Sequence, residues 1–321
     1  MNVFWKICLL LFLFAFSIAI GQTVKCNSCK GKIVGEYIVV DGKAYHQNHF
    51  RCSNCNKPIK GDYTTKSGKY YDRKCFANLF SLKCSICNEP INGEYLIDNH
   101  GLKFHKYHES ELKRCDNCNR LISEKTTRGG VKYSDGRNIC NLCKNKGLNS
   151  KSEYHHSLNQ VIKRLNNYGL MFNKSTIKLL TVDLNELQNI SQNRHSKNIR
   201  GYTYTSMETI GNKKTFKNTV YILNGIPPKY AESTIAHELM HIWISENIGH
   251  KLSSQLEEGS CNYISYTYLK SDYSDDAKDI IKQLQSNSDR IYGDGFRKVY
   301  NRFRGRDFNL FLEYLRKNKT I

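Results

Sequence analysis

His237-Glu238-Leu239-Met240-His241 sets two imidazoles and a carboxylate at the spacing that zinc-dependent peptide hydrolysis requires. On a helix, residues i and i+4 share a face, so both histidines can grip one ion while the adjacent Glu238 reaches the water beside it. The flanks, Ser233-Thr234-Ile235-Ala236 and Ile242-Trp243-Ile244, hold no Gly or Pro and read as a buried helix. A core helix whose histidines are merely hydrogen-bonded is the plainer alternative, but it gives Glu238 no role.

Two histidines leave a catalytic zinc one protein ligand short. No third histidine follows at the spacing of the metzincins, so a downstream glutamate is expected. Glu257-Glu258-Gly259, about one helix further on, offers two candidates. Gluzincins are similar in taking a glutamate from a later helix, several of them directly before glycine, and that resemblance selects Glu258. Glu257 then supports the ligands or binds substrate, and a shift in helix phase exchanges the two roles. A solvated helix face is the alternative for the pair. Cys261 has no histidine placed to activate it and is read as a small buried packing residue.

These groups need a scaffold. After Cys143, Asn145-Lys146-Gly147-Leu148-Asn149-Ser150 reads as a polar linker. Ser152 is expected to cap a helix running to Asn167, with Leu158, Val161, Ile162 and Leu165 on its apolar face. Strands are expected at Ile177 to Val182 and Thr219 to Leu223. The second runs into the turn Asn224-Gly225-Ile226-Pro227-Pro228, which delivers the chain to the His237 helix. Another helix begins near Ser253 and carries both glutamates. The remainder is mostly helical, ending in the amphipathic segment from Phe308 to Leu315.

The 13 cysteines are grouped in Cys-x-x-Cys pairs interleaved with histidines, which points to metal rather than disulfides. Leaving out Cys8 and Cys261, an odd number remains. Four histidines and one aspartate complete four sets of four ligands, the number tetrahedral zinc takes. The sets are Cys26, Cys29, His46 and His49; Cys52, Cys55, Asp72 and Cys75; Cys84, Cys87, His105 and His108; and Cys115, Cys118, Cys140 and Cys143. Asp72 is either a ligand or a turn residue, with Asn78 as the substitute ligand. Such closed sites are structural, because no position is left for water.

This arrangement resembles two LIM domains in tandem. His49-Phe50-Arg51-Cys52 keeps the two-residue spacer between zinc sites, and the loops of 16 residues fit that family. The second module departs from it, because six residues separate His108 from Cys115. The resemblance implies a protein-binding platform rather than a catalytic one.

The chain has 321 residues, more than one core usually occupies, and its formal charge is +20. The lysines are scattered, no helix-turn-helix or stacking-aromatic pattern accompanies them, and the mean hydropathy of −0.59 suits solvated faces, so nucleic acid is not the expected partner. Lys6 followed by the apolar run from Ile7 to Ile20, with Ala19 and Gly21 before Gln22, reads as a secretory signal peptide; an uncleaved anchor is the alternative. Nothing later is long and apolar enough to cross a membrane.

Three separated motifs carry a wider resemblance: Ala236-His237-Glu238-Leu239-Met240-His241, then Glu257-Glu258-Gly259-Ser260-Cys261, then Tyr292-Gly293-Asp294-Gly295-Phe296-Arg297. Following LIM-type modules, they are similar to the plant ubiquitin-activated LIM peptidases that limit organ growth. That resemblance implies a zinc peptidase acting on protein or peptide, with Glu238 as the general base. Ubiquitin activation is not carried over, because the acidic ubiquitin-interacting helices of those proteins have no counterpart here. Tyr292 or Arg297 is the candidate oxyanion donor; a tight loop around Gly293 and Gly295, with Arg297 paired to a carboxylate, is the alternative. The Asn-, Lys- and Tyr-rich composition suggests an exported bacterial relative. The expected architecture is α+β: signal peptide 1–21, LIM-like modules 22–80 and 81–146, and a mostly helical gluzincin-like domain with a small sheet over 150–321. It would hold one catalytic and about four structural zinc ions. A non-catalytic, zinc-binding interaction scaffold is the competing function.

Overall fold

The computed structural model describes residues 23–192, 198–211 and 213–321. The expected signal peptide lies outside them. The chain divides into two compact units, one ending at Leu82 and the other running from Lys83 to Ile321. Among the described residues, no helix is long and apolar enough to cross a membrane.

The first unit contains two hairpins, β1 (Tyr37–Val40) with β2 (Lys43–His46) and β3 (Tyr63–Lys66) with β4 (Lys69–Asp72), followed by helix α1 (Arg73–Phe80). A β-bridge closes each preceding Cys-x-x-Cys knuckle, Lys25 to Lys32 and Arg51 to Pro58. The residue after each second cysteine, Lys30 and Asn56, turns left-handed, and its N–H donates to the first cysteine's carbonyl. Phe50, from the spacer between the ligand sets, is 3% exposed and packs among Tyr45, Tyr63 and Tyr70 at 5.2–5.5 Å. One aromatic ring thus joins two ribbons that are each too small for a core of their own.

The second unit opens with the same motif twice. Knuckle bridges pair Lys83 with Pro90 and Arg114 with Leu121, and Asn88 and Asn119 take the left-handed position. The hairpins are β5 (Tyr95–Ile97) with β6 (Lys103–His105) and β7 (Gly130–Lys132) with β8 (Asn138–Cys140). Short helices α2 (His108–Glu111), α3 (Glu124–Thr127) and α4 (Asn141–Lys146) link them. Helix α2 takes up part of the longer spacer after His108.

Beyond this come α5 (Lys151–Asn166), β9 (Ile177–Val182), α6 (Leu184–Ile190), β10 (Gly201–Ile210), β11 (Lys213–Leu223), α7 (Pro228–Asn247), α8 (Ser254–Leu269), α9 (Asp275–Ser286), α10 (Tyr292–Phe303) and α11 (Phe308–Lys317). The cap of α5 is Ser150 rather than Ser152, because Ser150 and Glu153 form a reciprocal capping box that ends the polar linker two residues earlier. The sheet order is β10-β11-β9, with β11 antiparallel to β10 and parallel to β9. Helix α7 starts at Pro228, whose missing N–H costs nothing in a first turn, and is buried on most of its faces. Gly259 of α8 and Gly295 of α10 let these helices meet backbone to backbone: a Cβ on Gly259 would sit 2.4 Å from the Gly295 carbonyl carbon. The Tyr292 to Arg297 motif is therefore the first turns of a helix, and its glycines serve close packing rather than a loop.

The expected break between module 2 and the catalytic region is not where the chain divides. Cys115, Cys118, Cys140, Cys143 and Leu148 lie in one apolar core with α5, α7 and α8, so the fourth ribbon is built into the larger unit.

Candidate active site

Helix α7 presents His237 and His241 one turn apart, and α8 brings Glu258 to them. Glu258 Oε2 is buried without a hydrogen bond, 3.2 Å from His237 Nε2 and 3.7 Å from His241 Nε2. Nitrogen and oxygen donors bound 2.0–2.1 Å from one tetrahedral zinc sit about 3.4 Å apart, so this orphaned oxygen and the two ring nitrogens fit the metal. Burial opposes ionisation of Glu258, but the close approach of His237 and His241 outweighs it and holds the carboxyl well below the usual carboxylate range. A metal ligand must be ionised in this way.

The other ring nitrogens are held from behind. His237 Nδ1 lies 3.0 Å from Asn262 Oδ1, and His241 Nδ1 lies 3.3 Å from Glu257 Oε1. Glu257 thus contacts His241 from behind, while Glu258 turns one oxygen toward the Nε2 atoms of both histidines. Cys261 Sγ also lies within 4.8 Å of the histidine pair. Burial pushes that thiol up to about 12 and keeps it protonated, so the ionised Glu258 is the better third donor. Glu258→Gln is expected to remove the catalytic metal, whereas Glu257→Gln should weaken its binding only about 10–100-fold, as measured by competition with a chromogenic chelator.

Glu238 is 5% exposed and faces β10, where Thr203 Oγ1 donates to its Oε2 at 2.9 Å and lies 3.2 Å from its backbone carbonyl. Tyr292 opens α10, and its carbonyl accepts from Asn262 Nδ2 at 3.1 Å. Burial, then the charge of Glu258, push its hydroxyl up to about 12, against His241, so the group is a neutral donor near the ligands. Arg297 does not join them. It bonds the carbonyls of Gln285 and Asn287 and the carboxylate of Asp294, which is the pairing weighed as its alternative role.

The structure also brings together each of the four cysteine-rich sets within 4.8 Å. Cys26 Sγ to His49 Nδ1 is 3.6 Å, Cys29 Sγ to His46 Nδ1 is 3.5 Å, and Cys118 Sγ to Cys140 Sγ is 3.8 Å. Donors around one tetrahedral zinc stand about 3.5–3.8 Å apart when thiolates are among them. Asp72 caps α1, its Oδ1 accepting from Cys75 N–H at 2.8 Å, and its Oδ2 lies 3.3 Å from Cys55 Sγ, within the second cysteine set. Asn78 is exposed on α1. In the third set, His105 turns Nδ1 to Cys87 at 3.4 Å, while His108 gives Nδ1 to Glu111 and leaves Nε2 buried without a partner.

The histidine site and the last cysteine set differ in exposure, whereas the first two sets, with Cys29 and Cys55 exposed, are as open as the histidine site. The side chains of His237, His241 and Glu258 keep 16, 20 and 19% exposure, whereas the last cysteine set is at most 4% exposed. Three partly open donors leave a coordination direction for water and substrate; four sealed thiolates do not.

Sequence reasoning missed Thr203, Gly201 and Asn262. Asn262 was within reach, since it stands one turn past Glu258 on the same face. The strand bearing the other two was signalled by Gly211-Asn212 between alternating segments.

Comparison with protein families matches a LIM domain over residues 26–80 and the DA1-like family, described as Protein DA1, over residues 158–280. The chain is 26% identical over 204 residues to the LIM domain-containing protein HDR3 of Oryza sativa subsp. japonica, covering 54% of this chain and 40% of that protein. It is 27% identical over 202 residues to Protein DA1-related 2 of Arabidopsis thaliana, covering 54% and 37%. To Protein DA1 of the same plant it is 25% identical over 252 residues, covering 61% and 47%. The chain thus carries an N-terminal LIM domain and a DA1-like region, spans less than half the length of these relatives, and is homologous to the plant DA1 and DA1-related proteins. Their plant origin lends the bacterial expectation no support.

Proposed function

We propose that this LIM-bearing homologue of the plant DA1 proteins is a zinc metallopeptidase of gluzincin type, with His237, His241 and Glu258 as metal ligands and Glu238 as general base. The observation that carries the reading is the approach of the unpartnered Glu258 Oε2 to both histidine Nε2 atoms, beside a carboxylate that takes no part in holding the metal. Zinc bound there would supply a Lewis acid that polarises a peptide carbonyl and acidifies water. Glu238 would take the proton of the attacking water and return it to the leaving amine. The Tyr292 hydroxyl would donate to the oxygen on which charge develops. Asn262 and Glu257 would fix the orientation of the two imidazoles.

Under this reading the ribbons hold four further zinc ions in two LIM-like modules and recruit a protein partner or shield the site. The reading includes export by the segment from Lys6 to Gly21, for which a mature terminus at Gln22 would be the support and an unprocessed terminus the refutation. Incubation of the protein with casein or a secreted proteome, followed by sequencing of new termini, is expected to reveal cleavage that a zinc chelator abolishes. No new termini with fully metal-loaded protein would favour the scaffold instead.

A further inference from the structure

We infer that Thr203 is a positioning residue for the base, and that Gly201 is the glycine that lets it reach; this rests on the peptidase reading above. Residues 201 and 203 share one face of β10, and that face meets α7 at Glu238. A Cβ on Gly201 would stand 2.7 Å from Glu238 Oε1 and 2.6 Å from the Thr234 methyl, so any larger residue would displace the Glu238 side chain from its place. Two positions on, the Thr203 hydroxyl donates to Oε2 at 2.9 Å and lies 3.2 Å from the Glu238 carbonyl. One carboxylate oxygen is held from the sheet side, and the other, Oε1, packs against Gly201 and would be the proton acceptor under the peptidase reading.

The strand is itself anchored. Arg200, directly before Gly201, donates to the carbonyls of Asp116 and Asn117 at 3.2 and 2.7 Å, inside the knuckle that Cys115 and Cys118 close. Its guanidinium also covers the ring of Tyr230 in the first turn of α7. The start of β10 is therefore tied to the fourth ribbon and to the helix that carries the base.

The test uses the full-length, zinc-loaded chain with Thr203→Val, which keeps the shape and removes the hydroxyl, and Thr203→Ser, which keeps the hydroxyl. Thr203→Val is expected to lower kcat about tenfold with KM and zinc content unchanged, and Thr203→Ser to recover most of the loss. As a readout apart from activity, Thr203→Val should lower the unfolding midpoint of the parent by a few degrees and have a smaller effect in a Glu238→Ala background, where only the backbone carbonyl at 3.2 Å remains as an acceptor. Unchanged kcat in Thr203→Val, with cleavage abolished in Glu238→Gln, would overturn the positioning role and leave the peptidase reading standing. Failure of Thr203→Ser to recover activity, or an equal loss of midpoint in the Glu238→Ala background, would make Thr203 merely structural. Cleavage insensitive to both Thr203→Val and Glu238→Gln would overturn the peptidase reading itself.

Discussion

Replacing Glu238 with glutamine is expected to lower kcat for peptide cleavage by about 10²–10⁴-fold while the zinc content stays that of the parent protein. The amide keeps the volume of the carboxylate and can still accept from Thr203, so α7 and the adjoining strand should hold their places. What disappears is the capacity to take a proton and return it. Because His237, His241 and Glu258 converge on one another without help from Glu238, the proposed function makes metal binding and proton transfer separable. Steady-state kinetics together with metal analysis checks the separation, and a Glu238→Gln protein that lost its metal would place Glu238 among the ligands.

The second large effect concerns the cysteine sets, which differ in what they support. Cys140 is fully buried in the same apolar core as Val161, Ile235 and Ile264, whereas Cys29 is exposed in the unit that ends at Leu82. Structural zinc sites contribute apparent binding free energies of about 10–16 kcal/mol, comparable to the whole stability of a domain. Cys140→Ser is therefore expected to unfold the unit that contains α7 and to abolish cleavage. Cys29→Ser should cost only the metal of the first ribbon and leave the catalytic unit folded. Circular dichroism and limited proteolysis distinguish the two. Full activity in Cys140→Ser would mean that the fourth ribbon is a detachable appendage.

Much of the site was legible because its signals are local. The spacing of His237 and His241, the Ser253 cap ahead of α8, and the apolar face of α5 each follow from one turn of helix and its termini. The choice between Glu257 and Glu258 needed a resemblance as well, since both stand in the same turn and only packing against α7 decides which of them approaches both Nε2 atoms. Strand β10 was harder. Its Tyr-Thr-Tyr-Thr-Ser run is strand-favouring but carries no aliphatic core residues, because it forms an edge of the sheet and turns polar side chains toward Glu238 and Asn218. Nothing in the spacing of Gly293 and Gly295 told a tight loop from a helix packed on a helix, a distinction made by Gly259 in another part of the chain. The merging of the fourth ribbon with the catalytic core escaped notice for the same reason. Polar Asn145, Lys146 and Asn149 look like a linker, yet Leu148 is buried and its N–H donates to the carbonyl of Ile226, next to the entrance of α7.

Elemental analysis of the full-length protein and its His237→Ala variant, both shown to be folded, bears most directly on the central claim of a metal held by His237, His241 and Glu258. The account predicts five zinc ions per chain in the parent, four from the cysteine-rich sets and one from the histidine pair, and four in the variant. Equal metal content in the two proteins would contradict it.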